Sequence, residues 1–356
     1  MTLPTEEFVQ GLHEQGVTHL CAVPCSFAKN LINAAINHPV LEYLPCASEA
    51  IAASVAAGLQ MAGQKPLVVI QSSGLTNMGS CLTSLLKPYG VHVPILTSWR
   101  SYAEGDSEIQ HQHLAHALPD LIQAYGYEYQ VLDTDNVATA LEQISLMSST
   151  HTIGVLQKGS FSPVELLPEH QLQLDDLPPR SAFLQNLNQQ FQDSDILFIG
   201  TTGNAAREMY AYMPDTHNFY MAGNMGGALS LGYGAAKAGK KVVVCGGDAE
   251  FVMHMGGLTT AGRDAAEINL VYVLFDNQCN KSTGGQNTYQ QHVDYIGIAR
   301  AAGFACSPEP IDDVALMSRL LDKNIKEGGL HFMHIRCGLD PETPRPPVDV
   351  IRKNTL

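Results

Sequence analysis

The sequence has few charged residues and little positive charge. Charged residues make up 15% of the 356 residues, and 20 basic residues stand against 35 acidic ones, for a formal net charge of −15. Because this charge repels phosphate-rich polymers and anionic lipid, we expect neither nucleic acid nor a membrane as a partner. The small charged fraction, beside 45% apolar residues, favours a surface that is partly buried by association with other chains.

Segments that would direct the chain to or across a membrane are also missing. No uninterrupted apolar run reaches the roughly 18 residues of a spanning helix, and residues 1–7 show no basic region followed by an apolar run. Eight cysteines are scattered without the paired spacing of a zinc site, which predicts buried thiols. We therefore predict a cytoplasmic protein, long enough for two domains that each bury a core.

Short apolar runs alternate with segments of helical length in two successive series, which predicts an α/β fold. Such alternation is typical of parallel sheets whose two faces are covered by helices. In the first series we predict strands at 17–23, 40–44, 67–70, 93–97, 128–132 and 152–156, and helices near 27–36, 49–61, 77–86 and 136–146. In the second series we predict strands at 196–200, 218–221, 242–245, 270–275 and 331–335, and helices including 205–212, 226–238 and 314–322.

The two series are separated by a segment that is rich in proline and lacks helical periodicity. It runs from Glu165 to Arg180 and alternates in polarity, which is typical of an exposed linker. We therefore predict a first domain at 1–164, a linker at 165–182 and a second domain at 183–356.

The most informative residues of the second series are Asp248 and Asn277. Asp248 follows the apolar run 242–245 and opens a predicted helix, and Asn277 follows the apolar run 270–275. Their side-chain oxygens are hard ligands suited to Mg²⁺, and the next loop can add the main-chain carbonyl of Cys279. The helix N-terminus offers amide groups to phosphate oxygens. This spacing resembles the magnesium-diphosphate anchor of thiamine diphosphate enzymes.

Further motifs extend the resemblance over most of the chain. They are FYMAGNMGG at 219–227, GDAEFVMHMGGL at 247–258, FDNQCNKSTGGQ at 275–286, VPCSF at 23–27 and SEA at 48–50. On these residues the chain resembles the phosphonopyruvate and sulfopyruvate decarboxylases, which use thiamine diphosphate. The resemblance implies a pyrimidine-binding first domain and a diphosphate-binding second domain. It also implies a cofactor held between domains of different subunits, and hence at least a homodimer.

The resemblance assigns activation of the cofactor to Glu49, which opens the apolar predicted helix 49–61. Its carboxyl group would share a proton with the pyrimidine ring, whereas without the resemblance an acid in a first turn complements the helix dipole. Met225 falls where the family places an apolar residue that bends the cofactor, and would otherwise belong to the core. The residues assigned to the cofactor are Gly74, Thr76, Asn77, Thr201, Gly223, Met225, Gly247, Asp248, Ala249 and Asn277, with Asn77 also predicted to cap the next helix.

A histidine-rich stretch offers a candidate acid for the reaction. His111 lies where related decarboxylases carry active-site histidines, and it could protonate the intermediate that remains after carbon dioxide departs. The alternatives are a solvated loop, or a metal site formed by His111, His113 and His116. The metal site fits by spacing but lacks acidic or cysteine partners.

Positive charge for an anionic substrate is available at three positions. Lys29, Arg100 and Lys281 are the candidate cations, with Ser26 as a hydrogen-bond donor. Taken singly, each of these charges is more typical of a surface or structural role. The sequence departs from the family pattern at Ala249–Glu250, beside the diphosphate anchor, and at Asn280–Lys281, before the STGGQ run.

The expected activity is decarboxylation of a small 2-oxoacid. The resemblance implies a thiamine diphosphate- and Mg²⁺-dependent enzyme that converts phosphonopyruvate to phosphonoacetaldehyde and carbon dioxide, and thus belongs to phosphonate metabolism. The alternatives are a sulfopyruvate decarboxylase, a related decarboxylase that joins two substrates as a carboligase, and a non-catalytic partner subunit that binds the cofactor.

Overall fold

The computed structural model describes residues 2–103, 108–174 and 176–346. Residue 175 of the predicted linker and residues 347–356 of the predicted second domain lie outside the described residues. The chain divides into two compact units. Unit 1 comprises Met1–Gln171 and Asn280–Asn287, and unit 2 comprises Leu172–Cys279 and Thr288–Leu356.

Unit 1 contains a parallel sheet of six strands in the order β2-β1-β3-β4-β6-β5. The strands are β1 His19–Ala22, β2 Glu42–Pro45, β3 Pro66–Gln71, β4 Ile95–Ser98, β5 Glu128–Val131 and β6 Thr152–Leu156. The helices are α1 Thr5–Glu14, α2 Lys29–Asn37, α3 Glu49–Met61, α4 Ser72–Cys81, α5 Ile109–Ala124 and α6 Val137–Met147, and a π-helical turn, Leu82–Leu86, continues α4.

Unit 2 contains a second parallel sheet of six strands, in the order β11-β12-β10-β9-β7-β8. The strands are β7 Leu197–Gly200, β8 His217–Tyr220, β9 Lys241–Gly247, β10 Asn269–Asp276, β11 Ala305–Cys306 and β12 Gly329–Arg336. The helices are α7 Arg180–Phe191, α8 Asn204–Tyr212, α9 Ala228–Lys237, α10 Asp248–Met253, α11 Gly256–Gly262, α12 Tyr295–Ala301 and α13 Val314–Glu327.

The central strands are apolar throughout because both faces of each sheet are covered. In β10, Leu270 and Tyr272 join one buried cluster, while Val271 and Val273 join another that includes Phe183 of α7. Successive side chains of a strand point to opposite faces, so the alternation shows two covered faces. The predicted α/β class is therefore confirmed in both units.

The two sheets have the same topology. Read in chain order within its own unit, each sheet places its strands in the order 2-1-3-4-6-5. Because all strand pairs are parallel, the carboxyl ends of the strands lie at one edge of each sheet, where α/β folds bind their ligands. The loops after the second, third and fourth strands are thus the positions to compare between the units.

Several helices were not predicted from the sequence. They are α1, α5, α7, α11 and α12. In α5 the signal is obscured by Pro119 inside the helix and by repeated histidine and glutamine. The predicted linker ends earlier than expected, because Arg180 begins α7, is buried and forms an ion pair with Glu208 at 2.7 Å. Within the described residues, no helix combines the length and apolar character needed to cross a membrane.

Candidate active site

Glu49 stands at the carboxyl-end edge of the unit 1 sheet. The chain leaves β2 at Pro45, and α3 begins at Glu49 after Ser48, whose Oγ accepts the amide of Ile51 at 3.4 Å. Glu49 is buried, and its Oε2 accepts a hydrogen bond from Nδ2 of Asn77 at 2.9 Å. The fold therefore holds this carboxylate in a defined orientation.

The start of α4, which directly follows β3, packs closely against this carboxylate. A Cβ atom at Gly74 would overlap the Glu49 side chain, so glycine is required at this position. The prediction that Asn77 caps the next helix is wrong, because α4 already begins at Ser72 and Asn77 lies within it. The Asn77 side chain turns to Glu49 instead. Thr76 donates from Oγ1 to the carbonyl of Ser73 at 2.7 Å.

Asp248 occupies the corresponding edge of unit 2, directly after β9. It begins α10 and is buried, with Oδ1 accepting the amide of Ala249 at 2.9 Å and Oδ2 near Oγ1 of Thr288 at 3.4 Å. Burial and the neighbouring charge of Asp276 raise the pKa of Asp248 to about 7. The positive charge of Arg180 lowers this pKa but does not offset the effects of burial and of Asp276.

Asn277 follows the adjacent strand. In the register of β9 and β10, Phe275 pairs with Gly247, so Asp276 and Asn277 emerge beside Asp248. Oδ1 of Asn277 accepts the amide of Cys279 at 3.1 Å, and Gln278 between them has a positive φ of 52°. Asp276 bonds to Nε2 of His334 at 3.0 Å. The edge of unit 2 therefore gathers oxygen ligands with excess negative charge.

Glu250 is the second acid in the first turn of α10. It is buried, and its Oε2 accepts a hydrogen bond from the hydroxyl of Tyr272 at 2.6 Å. Burial raises the pKa of Glu250 to about 7. Glu250, which departs from the family pattern, therefore has a hydrogen-bond donor within unit 2, the Tyr272 hydroxyl of β10.

The remaining residues assigned to the cofactor in unit 2 lie in loops at the same edge. Thr201 follows β7 and is buried, and its Oγ1 has no hydrogen-bond partner within the described part of the chain. Met225 is half-buried in the loop after β8, between Asn224 and Gly226, which both have positive φ. A Cβ at Gly247 would meet only open space. Gly223 precedes this turn, and Ala249 lies in the first turn of α10.

Arg100 forms a polar cluster after β4 of unit 1. Its Nη1 donates to Oγ of Ser26 at 2.8 Å, and its Nη2 lies 2.5 Å from Oε2 of Glu108. The Phe27 ring centre is 4.4 Å from the guanidinium carbon. His111 joins the cluster, with Nε2 at 3.4 Å from the same Glu108 oxygen. Glu108 was not predicted from the sequence as a site residue, although it lies three residues before His111.

The structure decides between the alternatives for the histidines. His111 lies in α5 and is buried, so the solvated-loop alternative is wrong. Among residues 2–103, 108–174 and 176–346, no group of three His, Cys, Asp or Glu side chains could hold a metal, which contradicts a site formed by His111, His113 and His116.

The two lysine candidates differ from Arg100 in their surroundings. Nζ of Lys29 lies 3.6 Å from Oε1 of Glu165 on the surface of unit 1. Lys281 lies in the Asn280–Asn287 segment, which belongs to unit 1. In this segment Gln286 is buried and donates to Oδ1 of Asn33 at 2.8 Å, a contact that sequence reasoning did not find.

Known proteins match both halves of the chain. The families described as "Thiamine pyrophosphate enzyme, N-terminal TPP binding domain" and "Thiamine pyrophosphate enzyme, C-terminal TPP binding domain" match residues 5–125 and 199–335. A phosphonopyruvate decarboxylase of Streptomyces viridochromogenes is 33% identical over 332 residues, which cover 87% of this chain and 83% of that protein. The chain belongs to the phosphonopyruvate and sulfopyruvate decarboxylase family.

Other members of this family are similar over comparable lengths. A phosphonopyruvate decarboxylase of Streptomyces hygroscopicus is 30% identical over 323 residues, covering 85% of this chain and 80% of the relative. A sulfopyruvate decarboxylase of Methanosarcina acetivorans is 28% identical over 326 residues, covering 84% of this chain and 82% of the relative. Full-length relatives of both kinds therefore align with nearly the whole chain.

The edge residues of unit 2 fit the cofactor that this family uses. Asp248 is a buried carboxylate beside another acid, a combination that a bound cation would stabilise. The buried Oγ1 of Thr201 has unused hydrogen-bonding capacity, and Gly247 leaves open space beside the start of α10. These are features expected where a metal diphosphate binds a helix N-terminus.

Proposed function

We propose that the protein is a thiamine diphosphate- and Mg²⁺-dependent decarboxylase that converts phosphonopyruvate to phosphonoacetaldehyde and carbon dioxide. The observation that carries the proposal is the buried Arg100 guanidinium beside Ser26 and His111, a site that an anionic oxygen fits. The names of the two Streptomyces relatives supply the substrate class.

In unit 2, three groups would hold Mg²⁺. They are the side-chain oxygens of Asp248 and Asn277 and the main-chain carbonyl of Cys279. Oxygen donors of this kind suit Mg²⁺, and a divalent cation would offset the repulsion between Asp248 and Asp276. The other residues proposed to contact the cofactor are Gly74, Thr76, Asn77, Thr201, Gly223, Met225, Gly247 and Ala249.

In unit 1, Glu49 is proposed to hold and exchange a proton. Its buried carboxylate is oriented by Asn77, so its other oxygen can carry the proton toward a bound ring nitrogen. Thiamine diphosphate, when bound, supplies the electron sink for decarboxylation. His111 is proposed to carry the proton for the product on Nε2, beside Glu108.

Substrate binding is proposed to use local positive charge. Arg100 and Ser26 would contact the anionic tail, and Lys29 and Lys281 would add charge from the surface of unit 1. Because the whole protein has a net charge of −15, these short-range donors must overcome a repulsive field.

We also propose at least a homodimer, located in the cytoplasm. The helix that begins at Glu49 leaves Ile51, Val55 and Met61 exposed, and exposed apolar residues on one helix favour burial by another chain. Sedimentation of the holoenzyme at micromolar concentration should give a dimer or larger species, whereas a monomer would contradict this assembly.

Steady-state turnover of 2-oxoacids tests the activity. One charge-assisted contact is worth roughly 1.5–3 kcal/mol, so two contacts should favour phosphonopyruvate over pyruvate by at least about two orders of magnitude in kcat/KM. Arg100→Gln should lower kcat/KM for phosphonopyruvate and leave the value for pyruvate little changed. Comparable values of kcat/KM for the two acids in the parent enzyme would contradict the phosphonate proposal.

Sulfopyruvate is the second candidate substrate, favoured by the Methanosarcina relative. A sulfonate presents the same tetrahedral oxygens as a phosphonate but carries one charge fewer when the phosphonate is a dianion. The ratio of kcat/KM between these two acids separates the candidates. A ratio in favour of sulfopyruvate would replace the first proposal by the second.

A further inference from the structure

Glu108 occupies an unusual position for its residue type. It is the N-cap residue of α5, yet its side chain makes no capping hydrogen bond to the helix. Residues that cap well have shorter side chains, such as Asp, Asn and Ser. The Glu108 carboxylate instead reaches across to Arg100. The Glu108 side chain therefore does not serve as the cap of α5.

Two donors and the His111 ring converge on a single oxygen of this carboxylate. Oε2 of Glu108 lies 2.5 Å from Nη2 of Arg100, 3.3 Å from Nε2 of Gln110 and 3.4 Å from Nε2 of His111. Arg100 and His111 are buried, whereas the Glu108 side chain is 33% exposed. Arg100 and His111 are thus built into unit 1, and the acceptor enters from the surface.

Arg100 is held by contacts that do not involve the Glu108 side chain. Nη1 of Arg100 donates to Ser26, and Phe27 lies over the guanidinium plane. His111 is fixed within α5, and its buried Nδ1 has no hydrogen-bond partner within the described part of the chain. An oxyanion site would therefore persist if the Glu108 carboxylate moved into solvent.

We propose that Glu108 is a displaceable internal counterion of an oxyanion site formed by Arg100 and Gln110 beside His111. Without ligand, the carboxylate pairs with the buried guanidinium and avoids an uncompensated buried charge. When a phosphonate or sulfonate oxygen binds, it takes the place of Oε2, and Glu108 turns to water. The counterion lowers the affinity for every oxyanion by the same factor, which also favours release of an anionic product.

The opposite role for Glu108 is a fixed support that aligns Arg100 and His111. The two roles predict opposite changes in oxyanion affinity when the Glu108 carboxylate is removed. Removing a competing carboxylate strengthens oxyanion binding, whereas removing a support weakens it. The site itself follows from the contacts within unit 1, and only the identity of the natural ligand rests on the proposed function.

The test is equilibrium binding of methylphosphonate to the holoenzyme, measured by titration calorimetry. Glu108→Gln should bind methylphosphonate at least about tenfold more tightly than the parent, because one charge-assisted competitor is lost. The control is Glu267→Gln, which removes the same charge from the exposed pair with Lys237 in unit 2, where Glu267 is 69% exposed. That change should alter affinity by less than about fivefold.

Glu108→Asp gives a second variant that should fold well. Aspartate is a better N-cap than glutamate, so its shorter carboxylate should bond to the amides of α5 and leave Arg100 accessible. Methylphosphonate should again bind more tightly than to the parent. Unchanged or weaker binding in both Glu108 variants, or an equal gain in Glu267→Gln, would overturn the proposal.

Kinetics separate this inference from the proposed function. If phosphonopyruvate is the substrate, Glu108→Gln should lower its KM about tenfold, again because one charge-assisted competitor is lost, and leave the KM for pyruvate unchanged. If phosphonopyruvate is not turned over while methylphosphonate binds Glu108→Gln more tightly, the proposed function fails and the oxyanion site stands.

Discussion

The same sheet topology carries opposite charges in the two units. After the fourth strand, unit 1 presents Arg100, whereas unit 2 presents Asp276 and Asn277. After the third strand, unit 1 presents a glycine-containing helix start, whereas unit 2 presents Asp248. Strand order therefore fixes where functional side chains emerge, and the first residues after each strand decide which ligands they suit.

The two buried carboxylates of these edges are stabilised in different ways. Glu49 receives a hydrogen bond from the neutral amide of Asn77. Asp248 accepts a hydrogen bond from the amide of Ala249 and a longer one from the hydroxyl of Thr288. Because it also lies beside Asp276, its pKa is raised to about 7. Unit 1 thus satisfies its acid with its own side chains, and unit 2 leaves an excess of negative charge that a cation would offset.

The largest effect should follow from removing the acid of unit 2. Asp248→Ala should abolish binding of thiamine diphosphate in the presence of Mg²⁺, since it removes a ligand of the proposed metal. Calorimetric titration measures the binding, and circular dichroism checks the fold. The control is Asp195→Ala, whose exposed carboxylate pairs with Lys241 at the opposite end of β9. Unchanged cofactor affinity in Asp248→Ala would show that the anchor is elsewhere.

Removing the acid of unit 1 should affect turnover and spare cofactor binding. Glu49→Gln keeps the shape and the contact with Asn77 but removes proton exchange, so kcat should fall by about two orders of magnitude or more. Hydrogen exchange at the thiazolium carbon reports the lost step directly. Glu42→Gln, an exposed acid at the start of β2, is the matched control. An exchange rate equal to that of the parent would remove Glu49 from this role.

The features of the two units that could be predicted from the sequence are the strands and the residues at their ends. Apolar runs locate eleven of the twelve strands to within a few residues of their edges because central strands are buried on both faces, and β9 and β10 place Asp248 beside Asn277. The two-residue β11 is too short to leave a periodic signal. The start of α3 at Glu49 also agrees with its prediction, since Ser48 is a good N-cap.

The parts that the sequence did not predict depend on long-range contacts. Asn77 bonds to Glu49, and Glu108 to Arg100, and neither pairing leaves a local pattern. The helix α5 was missed because Pro119 interrupts its signal, so a solvated loop stayed open as an alternative for His111. Side-chain partners across elements are set by tertiary packing, which local propensity does not encode.

The unbalanced charge of unit 2 should also appear as a pH dependence of stability without cofactor. The pKa of Asp248 rises from 3.8 to about 7 on folding, so the folded state binds its proton more tightly than the unfolded state. This group therefore stabilises the fold fully below about pH 4, and the contribution is lost as pH rises to about 7. At about 1.4 kcal/mol per pKa unit, the loss can reach several kcal/mol.

Urea unfolding across this pH range measures the effect. Asp248→Asn should remove part of the loss, and the remainder belongs to Glu250, whose pKa is also raised to about 7. Adding Mg²⁺ and thiamine diphosphate should stabilise the parent most at the upper end of the range, where Asp248 is ionised. A pH profile that is identical in the parent and Asp248→Asn would contradict an uncompensated carboxylate at this edge.

The smallest effect should follow from removing the hydrogen bond between Tyr272 and the buried acid Glu250 of unit 2. Tyr272→Phe removes the hydroxyl that donates to Glu250 at 2.6 Å and leaves a buried carboxyl group with one donor fewer. The free energy of unfolding should fall by about 1–3 kcal/mol. The pKa of Glu250 should rise further, because the Tyr272 hydrogen bond lowers it. Turnover at saturating cofactor should change little, since the Tyr272 hydroxyl bonds to Glu250, which has no proposed role in the reaction.

Tyr295→Phe provides the matched control for this last comparison. Tyr295 packs against Phe251 in the same cluster, but its hydroxyl donates to the neutral side chain of Gln290 at 2.6 Å. Losing a neutral partner should cost about 0.5–1.5 kcal/mol, less than losing the donor to a buried acid. Equal losses of unfolding free energy in the two variants would mean that Glu250 does not depend on Tyr272. The internal satisfaction of that acid would then have to come from the backbone amides of Ala228 and Gly247 alone.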